Sequence, residues 1–229
     1  ALWIITINYI YIKYDKEYKR KFTGKYYREL PGEYSPAEMS VLMNMGYVLP
    51  RDIMATLMDL VRRKYLILEE VAVSRKALFK DKQIRDYKLS INPKVPLIDL
   101  KSHESFLIQW FIGEIGDGTS VLLDDITNYS KDRKLALDFK NDYELWCEKV
   151  KNESNRNNFF DSSSNKGIII GILISIVYIV AGILLPLIFY FHAGVILTVL
   201  GVILLIFSAR IKRRSPYGNE QYIMWKAFR

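Results

Sequence analysis

From Gly167 to Ala209 the chain carries no Asp, Glu, Lys or Arg. Ion pathways and proton relays through a bilayer need ionisable groups inside it, so this stretch alone is not a transport route. Cysteine is nearly absent as well. Cys147 stands alone, which excludes an intramolecular disulfide and fits a reducing compartment. Histidine is limited to His103 and His192. There is no HExxH, no CxxC and no Gly-rich phosphate loop, and Gly116-Asp117-Gly118 reads as a turn. No catalytic residue, cofactor site or metal site is predicted.

What the uncharged stretch does contain is apolar residues. A helix rising ~1.5 Å per residue needs roughly 20 of them to cross a bilayer core ~30 Å thick. The run is about twice that length, so it reads as a transmembrane helical hairpin over 167–210, turning near Phe191-His192-Ala193-Gly194. His192 reads as a loop residue and Pro186 as a bend in the first span. Gly167, Gly171 and Ser175 recur every fourth residue, a spacing that lets helix backbones approach. Residues 1–12 (ALWIITINYIYI) are apolar and aromatic but too short to cross. They read as the cytoplasmic end of a longer, truncated span, or else as a surface helix or strand.

The net charge of +8 is unevenly placed. Residues 13–28 carry seven Lys/Arg against two acids, among them Lys19, Arg20 and Lys21. The tail after the apolar run carries six against one, among them Arg210, Lys212, Arg213 and Arg214. Cations beside spans stay on the cytoplasmic side and gain from anionic headgroups. The expectation is a multi-pass protein of the cell membrane, with residues 13–166 and 211–229 cytoplasmic.

The hydrophilic segment opens on Ser35-Pro36-Ala37-Glu38, a capping box starting a helix that Gly46 ends near Met45. A second helix is predicted from Pro50 to about Lys64, with Ile53, Leu57, Leu60 and Val61 on its apolar face and Asp52 and Asp59 on its polar face. Leu66–Val73 and Ile84–Ile91 alternate as strands around a basic connection. Two helices and a hairpin outline a winged-helix-like domain over 29–98. A helical extension, or a second winged-helix-like unit, follows over 99–152. It has one helix over Ser102–Ile115, a short strand at Val121–Leu123, a short helix capped by Asp124 or Asp125, and a long helix over Lys134–Lys151. Trp110, Trp146 and Cys147 read as core. Residues 153–166 read as a mobile polar linker, and 211–229 as a basic and aromatic tail that is either an interfacial helix or the start of a soluble element. The fold class is therefore α+β, a winged-helix-like cytoplasmic domain with a helical extension plus a transmembrane hairpin.

Several stretches resemble the YciQ-like predicted membrane proteins, a bacterial and archaeal family of unknown function. They are Tyr26–Met43, Pro50–Glu70, Asp86–Leu89, His103–Ile112 and Gly218–Arg229. The resemblance implies the C-terminal portion of a protein with further spans and an extracytoplasmic domain, and it brings no catalytic residues. The expected function is non-enzymatic: a scaffold or sensor that presents a cytoplasmic interaction domain from the lipid bilayer to a protein partner or a second copy. Its candidate interaction surface is Arg51, Arg62, Arg63, Lys76, Lys80 and Lys82. The first alternative is a membrane-tethered DNA-binding regulator, which Asp52, Asp59 and the lack of excess positive charge in the segment disfavour. The second is an accessory subunit of a transporter or envelope enzyme.

Overall fold

The computed structural model describes residues 2–75, 82–189 and 194–228, without the side chains of 74, 75, 82–84, 188 and 189. In chain order the helices are α1 (Leu2–Ile10), α2 (Pro36–Met43), α3 (Arg51–Arg62), α4 (Ser102–Ile108), α5 (Leu123–Lys131), α6 (Ala136–Arg156), α7 (Ser163–Phe189), α8 (Gly194–Ala209) and α9 (Pro216–Ala227). Wider π-helical turns extend α1 over Tyr11–Asp15 and α4 over Gln109–Ile115. The strands are β1 (Leu66–Arg75), β2 (Lys82–Ile91) and β3 (Ser120–Leu122). The protein thus mixes helix with one small sheet. Its chain divides into two units, Glu33–Asn157 and the pair Ala1–Gly32 with Asn158–Arg229.

In Glu33–Asn157 the capping box forms: the Ser35 side chain accepts from the Glu38 amide while the Glu38 carboxylate accepts from the Ser35 amide. Met45 and Gly46, both at positive φ, end α2. Helix α3 stops at Arg62, short of Lys64, because Lys64 takes a φ of 66° and turns the chain into β1. Asp52 is not on a polar face. It is buried, and its carboxylate accepts from the Leu49 amide at 2.7 Å, fixing the turn before α3.

The sheet order is β1-β2-β3, all antiparallel, with Leu68 opposite Leu89 and Leu89 opposite Val121. Leu66, Leu89 and Val121 are buried on its inner face. Leu107, Trp110, Ile112, Trp146 and Val150 from α4 and α6 are buried too, and Cys147 is free and buried. Gly116 is required where the chain enters β3. A Cβ there would lie 2.2 Å from the Ser120 carbonyl oxygen and 2.8 Å from that of Ile112. Leu122, with no side-chain bond, is the N-cap of α5, and Asp124 and Asp125 sit inside its first turn.

The other unit pairs α7 and α8 antiparallel. A Cβ on Gly182 would fall 2.4 Å from the Thr198 hydroxyl, and one on Gly171 would fall 2.1 Å from that of Ser208. Ile10 and Tyr14 from α1 and its extension join Leu204 and Ile211 in a small core. Trp3 Nε1 donates to the Leu200 carbonyl at 2.9 Å. The polar stretch expected as a mobile linker is ordered at both ends, since α6 runs to Arg156 and α7 starts at Ser163. Between them Phe159 is buried and Asp161 is held by a set of polar partners.

Candidate interaction groove

Among the described residues, the basic side chains singled out in the sequence do not form one free patch. Arg51 is exposed at the start of α3. Arg62 pairs with Asp59, and Arg63 pairs with both Asp59 and the buried Glu104. Lys76 and Lys80 lie outside the described residues, as do Phe191, His192 and Ala193 of the expected hairpin turn. Lys82 is described as backbone in β2 only.

The seven basic residues named above beside the apolar runs also divide. Lys19, Arg20, Lys21, Arg210 and Lys212 are exposed. Arg213 and Arg214 are buried and paired. Arg213 Nε donates to Asp161 at 2.8 Å, its Nη2 donates to the Tyr18 hydroxyl at 2.7 Å, and the guanidinium stacks on the Tyr18 ring. Arg214 pairs with Glu17 and lies 3.8 Å over the Tyr222 ring. Burial pushes the Asp161 carboxyl up, but hydrogen bonds from Tyr18, Ser163 and Arg213 outweigh it and hold it at about 2. Glu220 accepts from the Lys21 and Phe22 amides, and Asn219 donates to the Tyr18 carbonyl. Residues 17–22, 161–164 and 213–220 are thereby knotted together. Of the small-residue stripe, Gly167 abuts Tyr14, Gly171 abuts Ser208, and the buried Ser175 hydroxyl donates back to the Gly171 carbonyl.

A second polar cluster lies in Glu33–Asn157. His103 is fully buried, with Nε2 3.0 Å from the Ser35 hydroxyl in a shared hydrogen bond. Burial, helped by Lys101 and Arg63, pushes the imidazole down to about 4 against the pull of Glu38, so it is neutral at pH 7. Glu38 is ion-paired to Lys101 and accepts from Asn157 at 3.1 Å. A serine and a histidine at this distance are the start of a nucleophile pair. Here Ser35 already accepts from the Glu38 amide, both side chains are closed to solvent, and His103 Nδ1 has no partner. The arrangement clamps the start of α4 to the start of α2. Among the described residues no three His, Cys, Asp or Glu converge to hold a metal ion.

The feature open to a partner is apolar. Helices α3, α5 and α6 and the π-helical end of α4 enclose a groove of about 600 Å³. Ile53, Met54 and Leu57 form one wall, Leu123 and Ile126 a second, and Phe139 and Tyr143 a third. Phe139 sits 4.8 Å from the Trp110 ring and stacks on Phe111 at 6.5 Å, which fixes the aromatic wall. Met54 is 45% exposed, and its unbranched thioether can repack around what it meets. Sequence periodicity marks Ile53, Leu57, Phe139 and Tyr143 as faces of separate helices. That these faces leave a gap depends on helix packing, which one sequence does not encode locally.

Helix α7 differs from all of these. Over Ser163–Leu187 it is long and apolar enough to cross a membrane, and only 17% of its most apolar window is buried. Gly194–Ala209 is a shorter apolar helix. A family described as "Predicted membrane protein (DUF2207) C-terminal domain" matches residues 23–229. The chain belongs to that family. No curated protein and no solved structure matches it. For this DUF2207 C-terminal domain, the family description and the uncovered apolar surface of α7 agree on a membrane protein of unknown function. The groove and the Ser35–His103 cluster fall inside the matched residues, whereas Glu17, Tyr18, Lys21 and Phe22 of the other polar cluster lie just before them.

Proposed function

We propose that the protein is a non-enzymatic, multi-pass membrane anchor that holds a winged-helix-like domain at the cytoplasmic face and offers its groove to a protein partner. The observation that carries this reading is the groove itself. It is an open apolar surface in a unit whose Ser35–His103 cluster is closed to solvent. The helix-helix-hairpin order α2-α3-β1-β2 supports the winged-helix description, although β3 joins the sheet from later in the chain. The antiparallel contact of α7 with α8 supports a transmembrane hairpin, and the exposed Lys19, Arg20, Lys21, Arg210 and Lys212 support its orientation. The motif in Pro50–Glu70 supports the narrower YciQ-like grouping. DNA binding draws little support, because Arg62 and Arg63 are already neutralised by carboxylates where phosphate contacts would need free cations.

A photo-crosslinking side chain at Met54 in the full chain, activated in native membranes, tests the reading. A discrete protein adduct supports it, whether the adduct is a second copy or another protein. Adducts with nucleic acid or lipid alone overturn it. Orientation is read separately with Asn141→Cys, which an impermeant thiol reagent should leave unlabelled in intact cells and label after permeabilisation.

A further inference from the structure

We propose that the occupant of the groove is an amphipathic helix of a partner protein whose apolar stripe is bordered by lysine or arginine. This deepens the partner reading above and rests on it. The aromatic wall formed by Phe139 and Tyr143 has carboxylates beside it. Asp138 and Asp142 precede those two residues on α6, and Glu114 lies one turn beyond Phe111. The Tyr129 ring lies 6.4 Å from that of Phe139, and its hydroxyl is raised by burial first and then by Asp138, Asp142 and Glu114. None of the three makes an ion pair among the described residues. Asp142 is itself pushed up by burial and by Asp138, as expected of crowded like charges.

Lys140, the charged side chain on the groove's lining, is paired with Glu144 at 3.6 Å. Across residues 111–144, which supply two of the groove's walls, eight carboxylates stand against four cations. Such a rim attracts a cationic border and repels the carboxylate or phosphate head of a lipid. The groove is also open and formed between helices, the geometry in which an amphipathic helix lays anchors at i, i+3, i+4 and i+7. Complementary charge around an apolar centre sets the on-rate and excludes wrong partners, while the buried anchors set the affinity.

The test uses the full chain in nanodiscs of neutral phosphatidylcholine and three labelled helical peptides sharing one leucine stripe. Their borders are lysine, glutamine or glutamate, and binding is read by fluorescence anisotropy. The lysine peptide should bind about tenfold tighter than the glutamine peptide, and the glutamate peptide should not bind measurably. Glu114→Gln/Asp138→Asn/Asp142→Asn should remove that preference and flatten its salt dependence. Met54→Asn, which removes an apolar side chain from the wall without adding charge, should weaken the lysine and glutamine peptides alike. Equal binding of all three peptides, lost in Met54→Asn, overturns the basic occupant and leaves the partner groove standing. Lysine-peptide binding that Met54→Asn leaves unchanged means adsorption elsewhere and overturns this proposal. No groove-dependent binding by any peptide overturns it too, while a Met54 protein crosslink would still uphold the broader reading.

Discussion

Two apolar runs in this chain meet opposite fates. In α4 and its extension, Leu107, Ile108, Trp110, Phe111 and Ile112 are almost completely covered by the unit around them. In α7, Ile169, Leu173, Val177, Ile183 and Leu187 all remain more than half exposed. Hydropathy alone does not separate a core helix from a lipid-facing one, whereas coverage by the rest of the chain does. The first run is interrupted by Gln109 and Gly113 and starts beside His103 and Glu104, which find buried partners. The second has no polar side chain beyond hydroxyls between Gly167 and Leu187, and both Ser175 and Ser208 return their hydrogens to carbonyls of their own helices. Such back-bonding satisfies a hydroxyl where no water is available.

The comparison breaks most visibly at Trp110. Trp110→Ala should destabilise Glu33–Asn157 by about 3–5 kcal/mol, read by denaturant titration of the detergent-solubilised chain, and leave membrane partitioning unchanged. The mirror change is Val177→Asp. A central Asp disfavours insertion by ~3 kcal/mol, so the chain should shift out of the integral membrane fraction while the Glu33–Asn157 fold persists. If Val177→Asp instead unfolded the chain in detergent without altering partitioning, α7 would be a core helix like α4.

Smaller effects sharpen the contrast between the two polar clusters. His103 has its folded pKa depressed from 6.5 to about 4. Between those values the unfolded chain takes a proton that the folded one refuses, so stability is lost as pH falls from 6.5 to 4. The loss should reach roughly 2–3 kcal/mol, and His103→Gln should flatten that window. Asp161 is also depressed, from 3.8 to about 2, so its contribution is intact above pH 4 and is lost as pH falls through 2. Asp161→Asn should lower the melting temperature of the solubilised chain by an amount equivalent to about 1–2 kcal/mol at neutral pH, with allowance for solvent screening. The pH 4–6.5 window should remain unchanged in that variant.

Much of the local architecture is legible in the sequence, because it is set by neighbours. The Ser35 capping box, the stop at Gly46, the two strands and the buried Trp110 and Trp146 follow from spacing. What is not legible is what residues far apart in sequence do together. Asp52 looks like a surface carboxylate on a helical wheel, yet it closes the preceding turn. Arg213 and Arg214 look like free juxtamembrane cations, yet Asp161 and Glu17 hold them from 52 and 197 positions away. Residues 153–166 look like a linker because they are rich in Ser and Asn. Their order comes from α6 continuing and from partners contributed by distant segments. The groove belongs to the same class, since four helices define it and no one of them announces it.

With Trp225 replaced by Phe, the remaining three tryptophans are distributed so that light can read the two units separately. Trp110 and Trp146 are sealed inside Glu33–Asn157, whereas Trp3 lies along the apolar helices with its indole nitrogen tied to the Leu200 carbonyl. A brominated acyl chain placed in the bilayer should therefore dim Trp3 well before it touches the emission of the other pair. Insertion and folding could then be followed in one cuvette by their different colours and quenching rates.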